Sequence, residues 1–255
     1  LFLYEGLYHS FAHHGQFSDR SAGSCLSAIN KSLNYASERL RTASYLVVTF
    51  GTAYVYRLKK NGMVVANCHK LPASDFVRER LTVGDIVDEW SVLLEDLWRV
   101  NPSLKIICTV SPVRHGKDGA HPNQISKATL LLAEEVLTGQ YSGQVSYFPA
   151  YEIMMDELRD YRFYAEDMIH PSSQAIDYIW ERFGDTYMDQ ETRSLMKEVD
   201  LVNRNLNHTP FNTANESYKN FLMQTLLKIR QLQSKNPYIC LSKEEEEIEK
   251  YLKNF

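Results

Sequence analysis

The sequence predicts an α/β fold built on a parallel sheet, and three observations carry that prediction. Short continuous apolar runs, YLVVTF (45–50), KIICTV (105–110) and QVSYFP (144–149), are rich in β-branched and aromatic residues, as strands buried on both faces of a parallel sheet are. Segments of helical periodicity stand between and after them, the alternation that βαβ units require. With 255 residues, 44% of them hydrophobic and 12% aromatic, the chain can bury a sizeable core, which excludes a disordered or fibrous protein.

Each element has a local reason. From Cys25 to Ala43, the residues Leu26, Ile29, Leu33, Ala36 and Leu40 recur at helical spacing and predict a surface helix feeding the first strand. After that strand, Asn61-Gly62 sits between two β-prone runs and predicts a hairpin closed by a type I′ turn, which needs positive φ at both central residues. Thr82 and Asp85 form a capping box ahead of Ile86, Trp90, Leu93 and Leu97, a stripe that stops at Asn101-Pro102. Asn123 is expected to cap a third helix with the core face Ile125, Ala128, Leu132, Ala133 and Val136, ending at Gly139. A helix over 173–183 carries Ile176, Ile179, Trp180 and Phe183 on one face.

Beyond residue 188 the pattern is helical only, with a loop at LNHTPFNTANES and a charged tail, SKEEEEIEKYLKNF. The predicted organisation is therefore an α/β domain over 1–188 and a helical C-terminal extension over 189–255 packed on it. Doubly wound sheets usually carry about five parallel strands, against three and a hairpin here. One or two strands are expected to be missing from the N-terminal side.

The formal charge of −4 gives no electrostatic case for a nucleic-acid partner or an anionic membrane surface. No apolar run approaches the length of a bilayer span, so no membrane association is expected. Cys25, Cys68, Cys108 and Cys240 are widely spaced, without a CxxC or Cys/His zinc pattern, and the histidines show no HxH or HExxH spacing. Reduced thiols, no metal, no cofactor and a cytoplasmic location are the expectations. The chain opens on Leu1 rather than Met, so an export signal lost with a processed N-terminus is the alternative. Oligomeric state is not legible.

Function in an α/β sheet is expected at the carboxyl ends of the strands. There AEDMIHPSS (165–173) places Asp167 and His170 three residues apart, ahead of the last helix of the α/β domain. Thirteen Asp and eight His in the chain give roughly 0.4 such pairs by chance. In a turn, that separation lets the carboxylate reach Nδ1 and leaves Nε2 free to take a proton from a hydroxyl. The competing reading is a polar loop with an incidental histidine. Further candidates for holding substrate are Asn67 and His69 after the hairpin, His14 beside Gly15, and Arg114 after the second strand, each against the alternative of an ordinary polar loop. Gly23-Ser24-Cys25 resembles a nucleophile motif, but no apolar strand precedes it, and Ser24 reads as the start of a helix.

These pieces resemble the SGNH (GDSL-like) hydrolase superfamily, and more specifically the GSCFA-domain family of bacterial proteins. The stretches that carry the resemblance are HSFAHHGQFS (9–18), TFGTAYVY (49–56), VANCHKLP (65–72), TVSPVRH (109–115), YFPAYEIMMDELRDYRFYAEDMIHPS (147–172) and, more loosely, LNHTPFN (206–212). The resemblance implies a three-layer α/β/α, flavodoxin-like fold with a β-hairpin insertion, and a serine esterase or acyltransferase acting on a small-molecule or carbohydrate ester. It implies Asp167 and His170 as catalytic residues, with the serine of the Gly-Ser-Cys-Phe-Ala motif lying upstream of Leu1, so that this chain alone is inactive. Gly51 and Thr52 would supply oxyanion N–H groups; the superfamily's Gly-x-Asn reads Gly51-Thr52-Ala53 here, without the asparagine donor. The alternative is a non-catalytic module of the same fold that holds a glycan or a protein.

Overall fold

The computed structural model describes residues 1–208 and 216–253. Residues 209–215, most of the predicted LNHTPFNTANES loop and of the LNHTPFN stretch, lie outside the described residues, as do the last two of the tail. The chain is mixed α/β, and it divides into two compact units, Leu1–Trp180 and Glu181–Phe255.

The first unit opens with β1 (Phe2–Tyr4) and β2 (Leu7–His9), an antiparallel hairpin. Its two-residue turn, Glu5-Gly6, has φ of 47° and 76°, so the type I′ geometry falls here. Next comes α1 (Ala22–Thr42), whose first turn is capped by Ser21 Oγ accepting from the Ser24 N–H at 3.3 Å. Ser24 is therefore a helical residue with no strand leading into it. Of the predicted apolar stripe, Ile29 is buried but Leu26 and Leu33 are exposed, because no described strand or helix covers that face of α1. Its C-terminal end is tied down by Asn101 Nδ2, which donates to Leu40 O and Ala43 O, both at 2.8 Å.

β3 (Tyr45–Phe50) follows, then β4 (Tyr54–Leu58), β5 (Val64–Val65) and β6 (Phe76–Arg80), which form a three-stranded antiparallel sheet in the order β5-β4-β6. The hairpin at Asn61-Gly62 exists, but only Gly62 has positive φ, 72°. The loop is longer than two residues, closed by Gly62 N–H to Leu58 O and Leu58 N–H to Met63 O, both 2.8 Å, so Asn61 keeps an ordinary backbone.

α2 (Val83–Val100) starts at the predicted capping box of Thr82 and Asp85. β7 (Lys105–Val110), α3 (Ala120–Gln140) and β8 (Val145–Phe148) complete the parallel sheet, in the order β3-β7-β8 with Tyr45 opposite Lys105 and Ile106 opposite Val145. Leu46, Val48 and Phe50 of β3, Ile106 and Cys108 of β7 and Val145 of β8 meet α2 through Trp90 and Leu94 and α3 through Leu137. The other face is bare at β3, where Tyr45 and Val47 are 62% and 51% exposed. Among the described residues the outer edge of β3 also has no partner strand.

α3 begins earlier than expected, at Ala120, and Asn123 lies inside it, with its Oδ1 accepting from His115 N–H at 3.0 Å. Its buried face is Asn123, Ser126, Lys127, Leu130, Ala133, Glu134 and Leu137, while Leu132 and Val136 are exposed. The predicted face was turned by about one residue because two buried positions carry charged side chains. After β8 the chain makes a short helix, α4 (Ala150–Glu152), running into one π turn, Ile153–Glu157. α5 (Ser173–Tyr187) buries Ala175 and leaves Ile176 and Trp180 exposed.

In the second unit α6 (Gln190–Leu206), α7 (Glu216–Lys235) and α8 (Ser242–Leu252) enclose Val202, Leu222, Ile229, Leu232, Leu241 and Ile248. Arg230 on α7 donates to Glu245 at 2.7 Å and Glu249 at 2.8 Å on α8. No helix among the described residues is long and apolar enough to cross a membrane.

Candidate active site

The segment from Tyr161 to Ser172 is a closed loop. Asp160 caps a 3₁₀ turn at Tyr161–Phe163, Tyr164 bridges Pro171, Ser172 N–H reaches Phe163 O at 2.8 Å, and Ala165 N–H reaches His170 O at 2.8 Å. Inside it, Asp167 Oδ1 accepts from the N–H groups of Ile169 at 2.9 Å and His170 at 3.0 Å. Such an Asx-type turn is how a short acidic side chain organises its own backbone. To close it, Met168 adopts φ of 58°, a left-handed conformation that disfavours a residue with a Cβ.

The second carboxylate oxygen, Asp167 Oδ2, meets His170 Nδ1 at 2.6 Å. Bonds from the His170 N–H, the His170 ring and the Ile169 N–H hold the Asp167 carboxyl down to about 2, from an ordinary 3.8. An ionised carboxylate only accepts, so the proton in this bond sits on Nδ1, and Nε2 carries the free lone pair. The ring is open: 60% of the His170 side chain and 47% of Asp167 are exposed.

Arg114 buckles this loop to the end of β7. Its N–H donates to Ile169 O at 3.2 Å, its Nη1 donates to Met168 O at 3.2 Å, and its guanidinium lies 3.9 Å from the centre of the Tyr164 ring. Arg114, a candidate for holding substrate, is thus committed to the loop that presents His170. Two residues on, a Cβ at Gly116 would lie 3.6 Å from Ile169 Cδ1, and His115 between them faces the end of β3, its Nε2 within 3.7 Å of where a Cβ at Gly51 would be.

Gly51 and Thr52 end β3. Phe50 O accepts from Ser111 N–H at 2.8 Å, so across a planar trans peptide the Gly51 N–H points away from β7, toward the unpaired side of β3. Lys127 Nζ donates to Gly51 O and to Ser111 O, each at 2.6 Å. Ser126 Oγ accepts from Ala53 N–H at 2.8 Å and lies 3.0 Å from Thr52 Oγ1. Burial lowers Lys127 to about 8, and burial followed by the Lys127 charge lowers His115. Lys127 and Ser126 were not found from the sequence, since each reads as the solvated side of an amphipathic helix, and Asn123 was read only as a helix cap.

Asn67, His69 and His14 belong to another cluster. Ala66 and Asn67 N–H groups donate to Phe11 O, Asn67 Oδ1 accepts from His69 N–H at 2.8 Å, and His69 Nε2 lies 2.8 Å from Ser10 O. The His69 ring stands 4.7 Å from that of buried His9 and 4.0 Å from a Cβ placed at Gly15, whose neighbour His14 accepts from Gln16 N–H at 3.1 Å. Among the described residues, no hydrogen bond or ring contact joins this group to Asp167, His170 or Gly51. No group of three or more His, Cys, Asp or Glu side chains among the described residues is placed to hold a metal ion.

Residues 1–183 match the GSCFA family. The chain belongs to that family. Residues 199–254 match the GSCFA domain protein, C-terminal domain, so both GSCFA segments are present in order. No curated protein and no solved structure matches the chain. In this GSCFA chain, the first match covers Gly51, Thr52, Arg114, Lys127 and the Asp167–His170 loop together.

Proposed function

We propose that this GSCFA chain carries the Asp-His half of an SGNH-like serine esterase or acyltransferase, within a three-layer α/β/α domain in which β4–β6 is an insertion. The observation that carries the reading is the 2.6 Å bond from His170 Nδ1 to Asp167 Oδ2, with Nε2 left without a partner among the described residues. The nucleophile is a serine delivered by a further strand along the open edge of β3, from polypeptide upstream of Leu1. That edge, the exposed Tyr45 and Val47, and the Gly51 N–H pointing to the same side support it.

In the reaction, Nε2 of His170 takes the serine proton as the hydroxyl oxygen attacks the ester carbonyl, and Asp167 stabilises the imidazolium. The N–H groups of Gly51 and Thr52 hold the tetrahedral oxyanion. On collapse the alcohol leaves with the proton from Nε2. Water, or an acceptor hydroxyl such as that of a carbohydrate, then repeats the sequence on the acyl-serine. The test is a fluorophosphonate probe on the full-length gene product. Covalent labelling that His170→Ala removes is the expected result, and a folded full-length protein that stays unlabelled overturns it.

A second reading is a non-catalytic module that holds a glycan or a protein partner at the same strand ends. Ala53, standing where the superfamily has its asparagine, and the openness of the His170 ring favour it. Absence of labelling together with saturable binding of a glycan would support it.

A further inference from the structure

Lys127 projects from α3 into the carboxyl end of the parallel sheet and is 1% exposed. Its ammonium has two carbonyl partners, Gly51 O and Ser111 O, and among the described residues no carboxylate within ion-pair distance. Burying an uncompensated ammonium costs several kcal/mol, more than a structural bridge between two carbonyls requires, because a neutral amide could make one. The charge therefore calls for a use, and its position suggests one.

The Gly51–Thr52 peptide is planar and trans, so fixing Gly51 O against Lys127 fixes the Thr52 N–H on the opposite side. A cationic donor on the carbonyl also polarises the amide and strengthens its N–H as a donor. The neighbouring polar groups are already engaged: Ser126 Oγ takes the Ala53 N–H at 2.8 Å, and Thr52 Oγ1 takes the Tyr54 N–H at 3.2 Å. The Thr52 N–H, like that of Gly51, has no acceptor among the described residues, and Thr52 is only partly buried. A backbone donor left free beside a buried cation is prepared for an anion arriving from outside.

We propose that Lys127 is a positioning residue, a buried cation that holds the Gly51–Thr52 peptide so that the Thr52 N–H is presented to an oxyanion. This rests on the reading of Gly51 and Thr52 as oxyanion donors given above, but it can be tested without any turnover.

The test follows the Thr52 amide of the ¹⁵N-labelled chain by NMR during titration with formate, a small carboxylate that mimics the oxyanion. A saturable shift in the wild-type chain is expected, with loss of at least about tenfold in formate affinity in Lys127→Met and recovery of most of it in Lys127→Arg. A Thr52 amide that ignores formate, or one that responds equally in folded Lys127→Met, overturns the proposal. If Lys127→Met does not fold, the wild-type chain decides. The groups facing Lys127 are His115, on the loop after β7, and the ring of Tyr151, on α4. Burial and the Lys127 charge lower His115, and burial raises Tyr151, so both move away from the range between pH 7 and 9.5 and Lys127 is the group that titrates there. Raising the pH from 7 to 9.5 should then weaken formate binding about tenfold, as Lys127→Met does, read on the Gly51 carbonyl carbon of the ¹³C-labelled chain because free amide protons exchange too fast at that pH, and an unchanged affinity overturns the proposal. In the full-length product, Lys127→Met should slow fluorophosphonate labelling about tenfold or more. A wild-type protein that never labels counts against the esterase reading, whereas a wild-type Thr52 amide that ignores formate counts against the role of Lys127.

Discussion

The Arg114 guanidinium lies over the ring of Tyr164, 3.9 Å from its centre, and from that position donates to Met168 O. One side chain thus offsets the strained backbone of Met168 and joins the His170 loop to the strand end that leads to Gly51. Cation–π contacts of partly exposed groups contribute about 1 kcal/mol, and a hydrogen bond from a charged donor contributes about as much again. Arg114→Ala should therefore speed amide exchange across residues 165–170 at least about tenfold, measured by hydrogen–deuterium exchange with mass spectrometry. Arg114→Lys keeps the charge without the guanidinium and should fall between.

Asp167→Asn tests the tautomer. The side-chain oxygen will stay with the two backbone N–H groups, which places the amide NH₂ against Nδ1 and moves the ring proton to Nε2. The expected outcome is an Nε2–H tautomer in the ¹⁵N spectrum of His170, and labelling of the full-length protein reduced by about 100-fold or more. Retention of the Nδ1–H form would contradict the geometry.

The same aspartate sets an acid limit. Its folded value, about 2, lies below the ordinary 3.8, so its contribution to loop order is complete above the unfolded value and disappears as pH falls through about 2. Chemical shifts of Ile169 and His170 amides should hold steady from pH 5 to 3.5 and move together only below that. In Asp167→Asn the step should be absent.

Glu134 predicts the opposite sign. It is buried beside Cys108, and burial raises its carboxyl to about 7, above the ordinary 4.5. The folded state then holds a proton that the unfolded state has lost, so stability is greatest below about 4.5 and declines as pH rises through 7. The loss is on the order of 3 kcal/mol at most. Denaturant unfolding at pH 5 and pH 8 should separate by that amount in the wild type and converge in Glu134→Gln.

Asn101→Ala removes the two 2.8 Å bonds that hold the end of α1, and it leaves Leu40 O and Ala43 O without that donor. A loss of about 2 kcal/mol in stability is expected, with the earliest exchange in residues 36–44.

The sheet strands were legible because 45–50, 105–110 and 144–149 are apolar without interruption, and the capping box at Thr82 marked α2 to the residue. β6 was not read, because Arg78, Glu79 and Arg80 disguise a strand. Two of these charges are satisfied sideways, Glu79 by Arg57 across the sheet and Arg78 by Asp118 at 2.7 Å. The turn at Glu5-Gly6 was passed over because glutamate rarely accepts positive φ. In the candidate site, Asp167 and His170 could be found because their spacing closes in one turn. Lys127 could not, since a helical pattern assigns lysine to water, and only tertiary partners reveal that this one is enclosed.

The bare margin of β3 has a practical consequence. Among the described residues, Tyr45 to Phe50 offers a row of unclaimed amide and carbonyl groups flanked by apolar side chains, and such a margin acts as a template for any extended chain it meets. Residues 1–255 prepared alone should cluster as concentration rises, and a lysine set into that margin at Val47 should keep them dispersed.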